Sequence, residues 1–155
     1  MNQQNDVFVT KEGLEKLKKE YEELTNVKRK EVVKKLTAAR ELGDLSENSA
    51  WQTAREEQSF IEGRIEELEE ILRNAKVIAV KNHNGVVILG SKVKLHIDGT
   101  EEEFHIVGAP EADPKKQKIS HESPLGKALL GKKIGDTVEI DAPLGRIKYR
   151  IIAIS

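Results

Sequence analysis

Apolar residues Leu14, Leu17, Tyr21 and Leu24 recur at steps of 3, 4 and 3, the repeat of a helix that pairs along a narrow seam. Lys28 and Glu31 occupy the next ideal seam positions, while Val27, Val32, Leu36 and Ala39 carry the stripe onward after a local register shift. Thr10, after the apolar lead-in Val7 to Val9, suits an N-cap, and Gly43 suits the C-terminal cap. From Thr10 to Glu41 the helix would be a rod of roughly 48 Å. A second seam runs through Ala50, Ala54, Gln58, Ile61, Ile65, Leu68 and Leu72 at steps of 4, 4, 3, 4, 3 and 4. So short a connection leaves room for little but an antiparallel hairpin, with Gly43 to Asn48 as its distal tip. Two seams facing each other within one chain disfavour the alternative, a parallel dimer of single helices.

The helical pattern ends at Asn74-Ala75-Lys76, and Val77 to Val80 lead into the turn-rich linker Asn82-His83-Asn84-Gly85. Beyond it the period changes to two. Val86 to Leu89, Lys92 to Ile97 and Glu103 to Val107 read as strands, with a hairpin turn at Asp98-Gly99. Ser123-Pro124 to Gly131 reads as a short helix with a serine N-cap, proline at its first position and a terminal glycine. Val138 to Ile140 and Arg146 to Ile154, joined at Pro143-Leu144-Gly145, complete a sheet. The expectation is a two-domain α+β chain: an antiparallel coiled-coil hairpin over residues 1–80 and a small antiparallel sheet with one helix over residues 81–155.

Charge sharpens the hairpin. Of 155 residues 34% are charged, yet the formal net charge is only −1, which argues against wholesale polyanion binding while allowing local asymmetry. Lys28, Arg29, Lys30, Lys34, Lys35 and Arg40 stand against Glu31, and the facing stretch adds Arg55, Glu56 and Glu57, so the distal level is net +4. The proximal level is acidic, with Glu62, Glu66, Glu67, Glu69 and Glu70 against Arg64. Two readings stay open: solubility with interhelical ion pairs, each worth less than about 1 kcal/mol, or contact with a nucleic-acid backbone. There is no cysteine, which excludes disulfides and thiolate zinc sites. His83, His96, His105 and His121 lack ligand spacing. With no apolar run near membrane length and no apolar core at Met1 to Asp6, the chain reads as soluble and intracellular.

At the tip, Asp44 and Glu47 are three apart, and a helix starting near Asp44 would bring their side chains to one face. Two such carboxylates suit one Mg²⁺, but bind it weakly unless another macromolecule supplies the remaining ligands. The same spacing is that of a capping box, with Ser46 as a rival cap. Trp51, one turn beyond Glu47, either stacks on a base or fills the seam beside Ala50.

Ala39-Arg40-Glu41-Leu42-Gly43-Asp44-Leu45-Ser46-Glu47-Asn48, followed by Ala54-Arg55-Glu56 and Glu62-Gly63-Arg64-Ile65, resembles the signature of the bacterial transcript cleavage factors of the GreA/GreB family. The near-neutral charge is closer to the less basic, GreA-type branch, for which short cleavage products are expected. The resemblance implies a cytoplasmic, monomeric elongation factor, not itself an enzyme, whose hairpin enters the secondary channel of RNA polymerase. There Asp44 and Glu47 would help hold Mg²⁺ and its water while the polymerase hydrolyses backtracked RNA near its 3′ end; no metal is expected to bind tightly to the free chain. Arg40 and Arg55 match basic residues flanking the family tip and, with Lys34, Lys35 and Trp51, are candidate RNA contacts. Trp51 stands where tyrosine is usual, and Gln52 where histidine is frequent, so no imidazole role carries over. The second domain is implied to be FKBP-like and to dock on the polymerase, through Ser123, Pro124 and Leu125 and the loop bearing Glu111 and Asp113. The competing readings are a channel-binding regulator that inhibits without stimulating cleavage, and a coiled-coil adaptor with no catalytic role.

Overall fold

The computed structural model describes residues 5–78 and 84–155. Of the linker expected at Asn82-His83-Asn84-Gly85, the first two residues lie outside the described residues, and Asn84 and Gly85 form a turn at φ 48° and 76°. The chain divides into a hairpin unit, Leu14–Asn74, and a sheet unit formed by Met1–Gly13 with Ala75–Ser155.

In the hairpin, α1 (Lys11–Glu23) runs through a π-helical segment, Leu24–Lys28, into α2 (Arg29–Glu41), and α3 (Ser49–Asn74) returns. The π turn is the physical form of the register shift. A π-bulge inserts one residue into an α-helix, so the strict repeat that would place Lys28 and Glu31 in the seam instead places Arg29 and Val32 there. Val32 is fully buried, with Ile61 and Ile65, and Tyr21 and Leu24 pack against this cluster. Ala39, Ala54 and Leu68 are buried as the period requires, whereas Val27 is 46% exposed and lies off the seam. Ala50, expected in the seam, is exposed.

Ion pairs then set the pairing. Arg29 donates from Nε and Nη2 to Glu62 at 2.7 and 2.9 Å, and Arg64 donates to Glu20 at 2.7 and 3.0 Å and to Glu67 at 2.8 Å. Lys35 reaches both oxygens of Glu57 at 2.9 Å, and the Tyr21 hydroxyl donates to Glu69 at 3.0 Å. The hydrogen bonds from Arg29 hold the Glu62 carboxyl below its usual range, and Glu20 holds the Arg64 guanidinium above its own.

In the sheet unit, β1 (Val7–Val9) and β2 (Ala75–Val77) form a parallel two-stranded ribbon. The main sheet contains β3 (Lys92–Ile97), β4 (Thr100–Val107), β5 (Lys118–Ser120), β6 (Thr137–Ala142) and β7 (Gly145–Ile154) in the order β5-β4-β3-β7-β6. It is antiparallel except at its edge, where the three residues of β5 pair parallel to β4. The β3–β4 turn is the expected one, with Asp98 at φ 44° and Gly99 at φ 84°, as a type I′ hairpin needs. One helix, α4 (Pro124–Leu129), places Leu129 against Val93, Leu95, Ile106, Val138, Ile151 and Ile154 of the sheet.

Val86 to Leu89 is not the strand the pattern predicts. Val87 is buried, but the segment makes only an isolated bridge to Lys133. The Ser91 hydroxyl accepts from Ile88 N at 3.0 Å, and Gly90 turns the chain at φ 94°.

Candidate functional site at the hairpin tip

Helix α2 ends at Glu41 with Leu42 as its C-cap, and Gly43 follows at φ 119°, a conformation that costs glycine little and other residues much. Asp44 to Asn48 then form a loop, and α3 begins only at Ser49. The capping-box expectation for Asp44 and Glu47 is therefore overturned, because both precede the helix and neither lies on one of its faces. The cap is Asn48. Its Oδ1 accepts from Trp51 N at 3.0 Å, its own carbonyl accepts from Gln52 N at 3.1 Å, and its Nδ2 donates to the Ala39 carbonyl at 2.6 Å. One side chain thus satisfies the start of α3 and the end of α2 together. Sequence reasoning assigned Asn48 no role, although asparagine just before a helical period is itself a cap signal.

Asp44 closes its own turn. Its Oδ1 accepts from Ser46 N at 2.9 Å and from Ser46 Oγ at 2.8 Å, and these bonds hold its carboxyl below the usual range, so it stays ionised at neutral pH. Glu47 is exposed. Among the described residues, no basic side chain pairs with either acid. The remaining valences of both therefore face solvent.

The basic residues beneath the tip divide into two sets. Arg29 and Lys35 are spent on Glu62 and Glu57, and Lys28 lies 3.6 Å from Glu31. Lys30, Lys34, Arg40 and Arg55 are exposed without an ion pair among the described residues. Arg55 lies over the Trp51 ring at 5.9 Å from its centroid, within cation–π range. Trp51 is half-buried, so the structure gives it a partner as well as an open face. Small side chains at Ala38, Ala39, Ala50 and Ala54 leave an open groove of about 540 Å³ beside Leu42.

The other expected site residues lie in the sheet unit. Glu111 accepts from Thr10 N at 2.8 Å and from the Thr10 hydroxyl, which in turn accepts from Gly13 N at 3.0 Å. A Cβ at Gly13 would collide with this carboxylate, so the glycine makes room for it. Asp113 caps the short turn Pro114–Lys116 by accepting from Lys115 N at 3.1 Å. Ser123 caps α4, accepting from Gly126 N at 3.1 Å and donating to the Ser120 carbonyl at 2.7 Å. Leu125 packs on the sheet core, and Pro124 is exposed. His96 is an exposed strand residue, His105 donates from Nε2 to the Gly90 carbonyl at 3.2 Å, and His121 stands edge-on to Phe8. His83 lies outside the described residues.

No three His, Asp or Glu side chains cluster as a metal cage among the described residues. Asp44 and Glu47 are hard oxygen donors, the type Mg²⁺ takes, but two carboxylates are a partial set that fits the ion only where a host completes it. No helix among the described residues is long and apolar enough to cross a membrane.

Two family models match the chain: the N-terminal model of the GreA/GreB transcription elongation factors over residues 7–77 and the C-terminal model over residues 81–155. The transcription elongation factor GreA of Acetivibrio thermocellus is 52% identical over 152 residues, 96% of each chain. Its namesake in Bacillus subtilis is 48% identical over 98% of this chain and 99% of its own. A solved structure, the GreA factor homolog 1 protein of Thermus thermophilus, is 35% identical, covers 97% of this chain and 99% of its own, and aligns with a TM-score of 0.46.

Proposed function

The chain belongs to the GreA/GreB family of transcription elongation factors, and on that premise we propose that its hairpin enters the secondary channel of RNA polymerase and stimulates hydrolysis of backtracked RNA at its 3′ end. The observation that carries the reading is the tip: Asp44 and Glu47 stand in a loop held by Asn48, and no cation of the described chain neutralises them.

Each part of the distal hairpin has a role in this reading. Asp44, kept ionised by Ser46, and Glu47 offer oxygens to a cation shared with the polymerase. A Mg²⁺ bound there supplies Lewis-acid activation of the attacking water. Asn48 positions both acids by joining the helix ends, so little ordering remains to be done on binding. Lys34, Arg40 and Arg55 face the RNA backbone, with Trp51 as a stacking surface. Lys35, tied to Glu57, acts chiefly on pairing of the helices. Pro124, with Ser123 and Leu125 behind it, meets the polymerase surface, while Glu111 and Asp113 shape the neighbouring loop. The factor works as a monomer, in the cytoplasm, and hydrolyses nothing alone.

Adding the chain to polymerase arrested on backtracked RNA tests this. Release of short 3′ fragments followed by resumed elongation is the expected result. Slowed elongation without shortening of the transcript would identify an inhibitor instead.

A further inference from the structure

The outer face of the main sheet carries its charges in rungs, because residues two apart on a strand share a face and residues in register lie side by side. On one rung Lys94 stands opposite Glu103, and its Nζ lies 2.9 Å from Glu101. The next rung has no such match. Lys92 on β3, His105 on β4 and Lys118 on β5 are in register across three adjacent strands, so the rung holds two ammonium groups and an imidazole and no acid. Like charges placed across strands destabilise a sheet. Burial and the two lysines hold the His105 imidazole below its ordinary 6.5, against a weaker pull from Glu111. Among the described residues, Lys92, Lys118 and the nearby Lys116 form no ion pair, although Lys118 is half-buried. These four side chains line a cavity of about 290 Å³, with Glu12 and Glu103 also on its wall. Neither acid pairs with the lysines among the described residues, so the cations are left without a counter-charge. The volume is at the small end of ligand pockets and corresponds to about ten waters. No Phe, Tyr or Trp lines it, which leaves no surface for a stacked base.

We propose that this cavity binds a small polyphosphate anion, either pyrophosphate or the diphosphate end of a metabolite, between Lys92 and Lys118, with the exposed Lys116 as a third cation. Several ammonium groups facing one space call for a ligand with more than one negative charge, and phosphate oxygens accept short, charge-assisted hydrogen bonds from them. Such an anion removes the repulsion along the rung. It also favours a proton on Nδ1 of His105, whose Nε2 already donates to the Gly90 carbonyl at 3.2 Å. Glu12 and Glu103 select against a long polyanion such as RNA, which would have to run past both carboxylates. A ligand of a few atoms needs only the lysines.

The test uses the full chain, without divalent cations and with ionic strength held constant by sodium chloride. Added pyrophosphate should shift the Cε1–H resonance of His105 saturably, with half-saturation below about 1 mM, and should move the titration midpoint of that imidazole upward. At ten times the half-saturating concentration the melting temperature should rise by about 3–5 °C. Lys92→Gln and Lys118→Gln should each raise half-saturation at least fivefold, while Lys94→Gln, on the matched rung, changes it less than twofold. Lys92 is exposed, so its variant decides the matter even where loss of the half-buried Lys118 disturbs folding. A nucleoside diphosphate that binds as tightly as pyrophosphate assigns the site to the diphosphate end of a metabolite, and one that binds at least tenfold more weakly assigns it to the free ion. No saturable shift at millimolar pyrophosphate overturns the inference, as does an equal weakening by Lys94→Gln. Single-stranded RNA that shifts His105 at lower concentration than pyrophosphate assigns the rung to nucleic acid and also overturns it.

Discussion

In the hairpin, two helices meet along a seam one side chain wide, and the order of Val32, Ile61 and Ile65 along it is secured by ion pairs at its margins. In the sheet unit, Val93, Leu95, Ile106, Leu129 and Ile151 fill a layer between helix and sheet and are fully buried. The seam leaves most of each helix surface free. That freedom is what allows a basic flank, an exposed Phe60 and a loop of unneutralised acids on one thin element. The layered core leaves less free surface.

Truncation in the two cores gives the widest separation. Ile151→Ala opens a cavity that surrounding strands cannot close and is expected to cost about 3–5 kcal/mol, whereas Ile65→Ala, beside solvent in a seam able to collapse, costs about 2–3 kcal/mol. Denaturant unfolding of each variant measures the gap, and equal costs would break the contrast. Next comes Glu111→Ala, which strips two acceptor bonds from the half-buried Thr10 cap; a loss of about 2 kcal/mol is expected. Asn48→Ala removes the cap of α3 together with the tie to Ala39 and costs about 1 kcal/mol. Asn48→Asp, which keeps the acceptor for Trp51 N and loses the donor, should fall between that variant and the wild type.

The smallest effect is one of pH and belongs to the sheet unit alone. Burial, aided by Lys118 and Lys92, holds the His105 imidazole below its ordinary value of 6.5. The folded chain therefore binds that proton less readily than the unfolded chain. Stability should hold above pH 6.5 and fall as pH drops below it. His105→Gln should flatten this part of the stability profile, and an unchanged slope would assign it to other groups.

The seams were legible because side chains one turn apart must share a face, and both units' main elements follow from period alone. The register shift was legible too, in the misfit of Lys28 and Glu31, but its form as a π turn was not, since spacing does not say how a helix absorbs an extra residue. Val86 to Leu89 misled because a short apolar run reads alike whether it pairs as a strand or crosses the core edge in a turn. The three-residue strands β1, β2 and β5 lack the length to show a period. Glu111 and Thr10 are a hundred residues apart in sequence, and no local pattern announces a cap supplied from such a distance. At the tip, the residue types were legible but the cap was not: that role passes from Asp44 and Glu47, whose spacing offered it, to Asn48, which was assigned none, and Asp44 is bonded only within its own turn.

That exchange makes the central claim testable with single substitutions. Because neither acid supports a helix end or an ion pair, Asp44→Ala and Glu47→Ala should melt within about 1 °C of wild type and bind polymerase as tightly, while stimulated cleavage of backtracked RNA falls by about a hundredfold or more, the scale of losing a group that acts only on the reaction. Full stimulation by both variants at wild-type affinity would contradict the account.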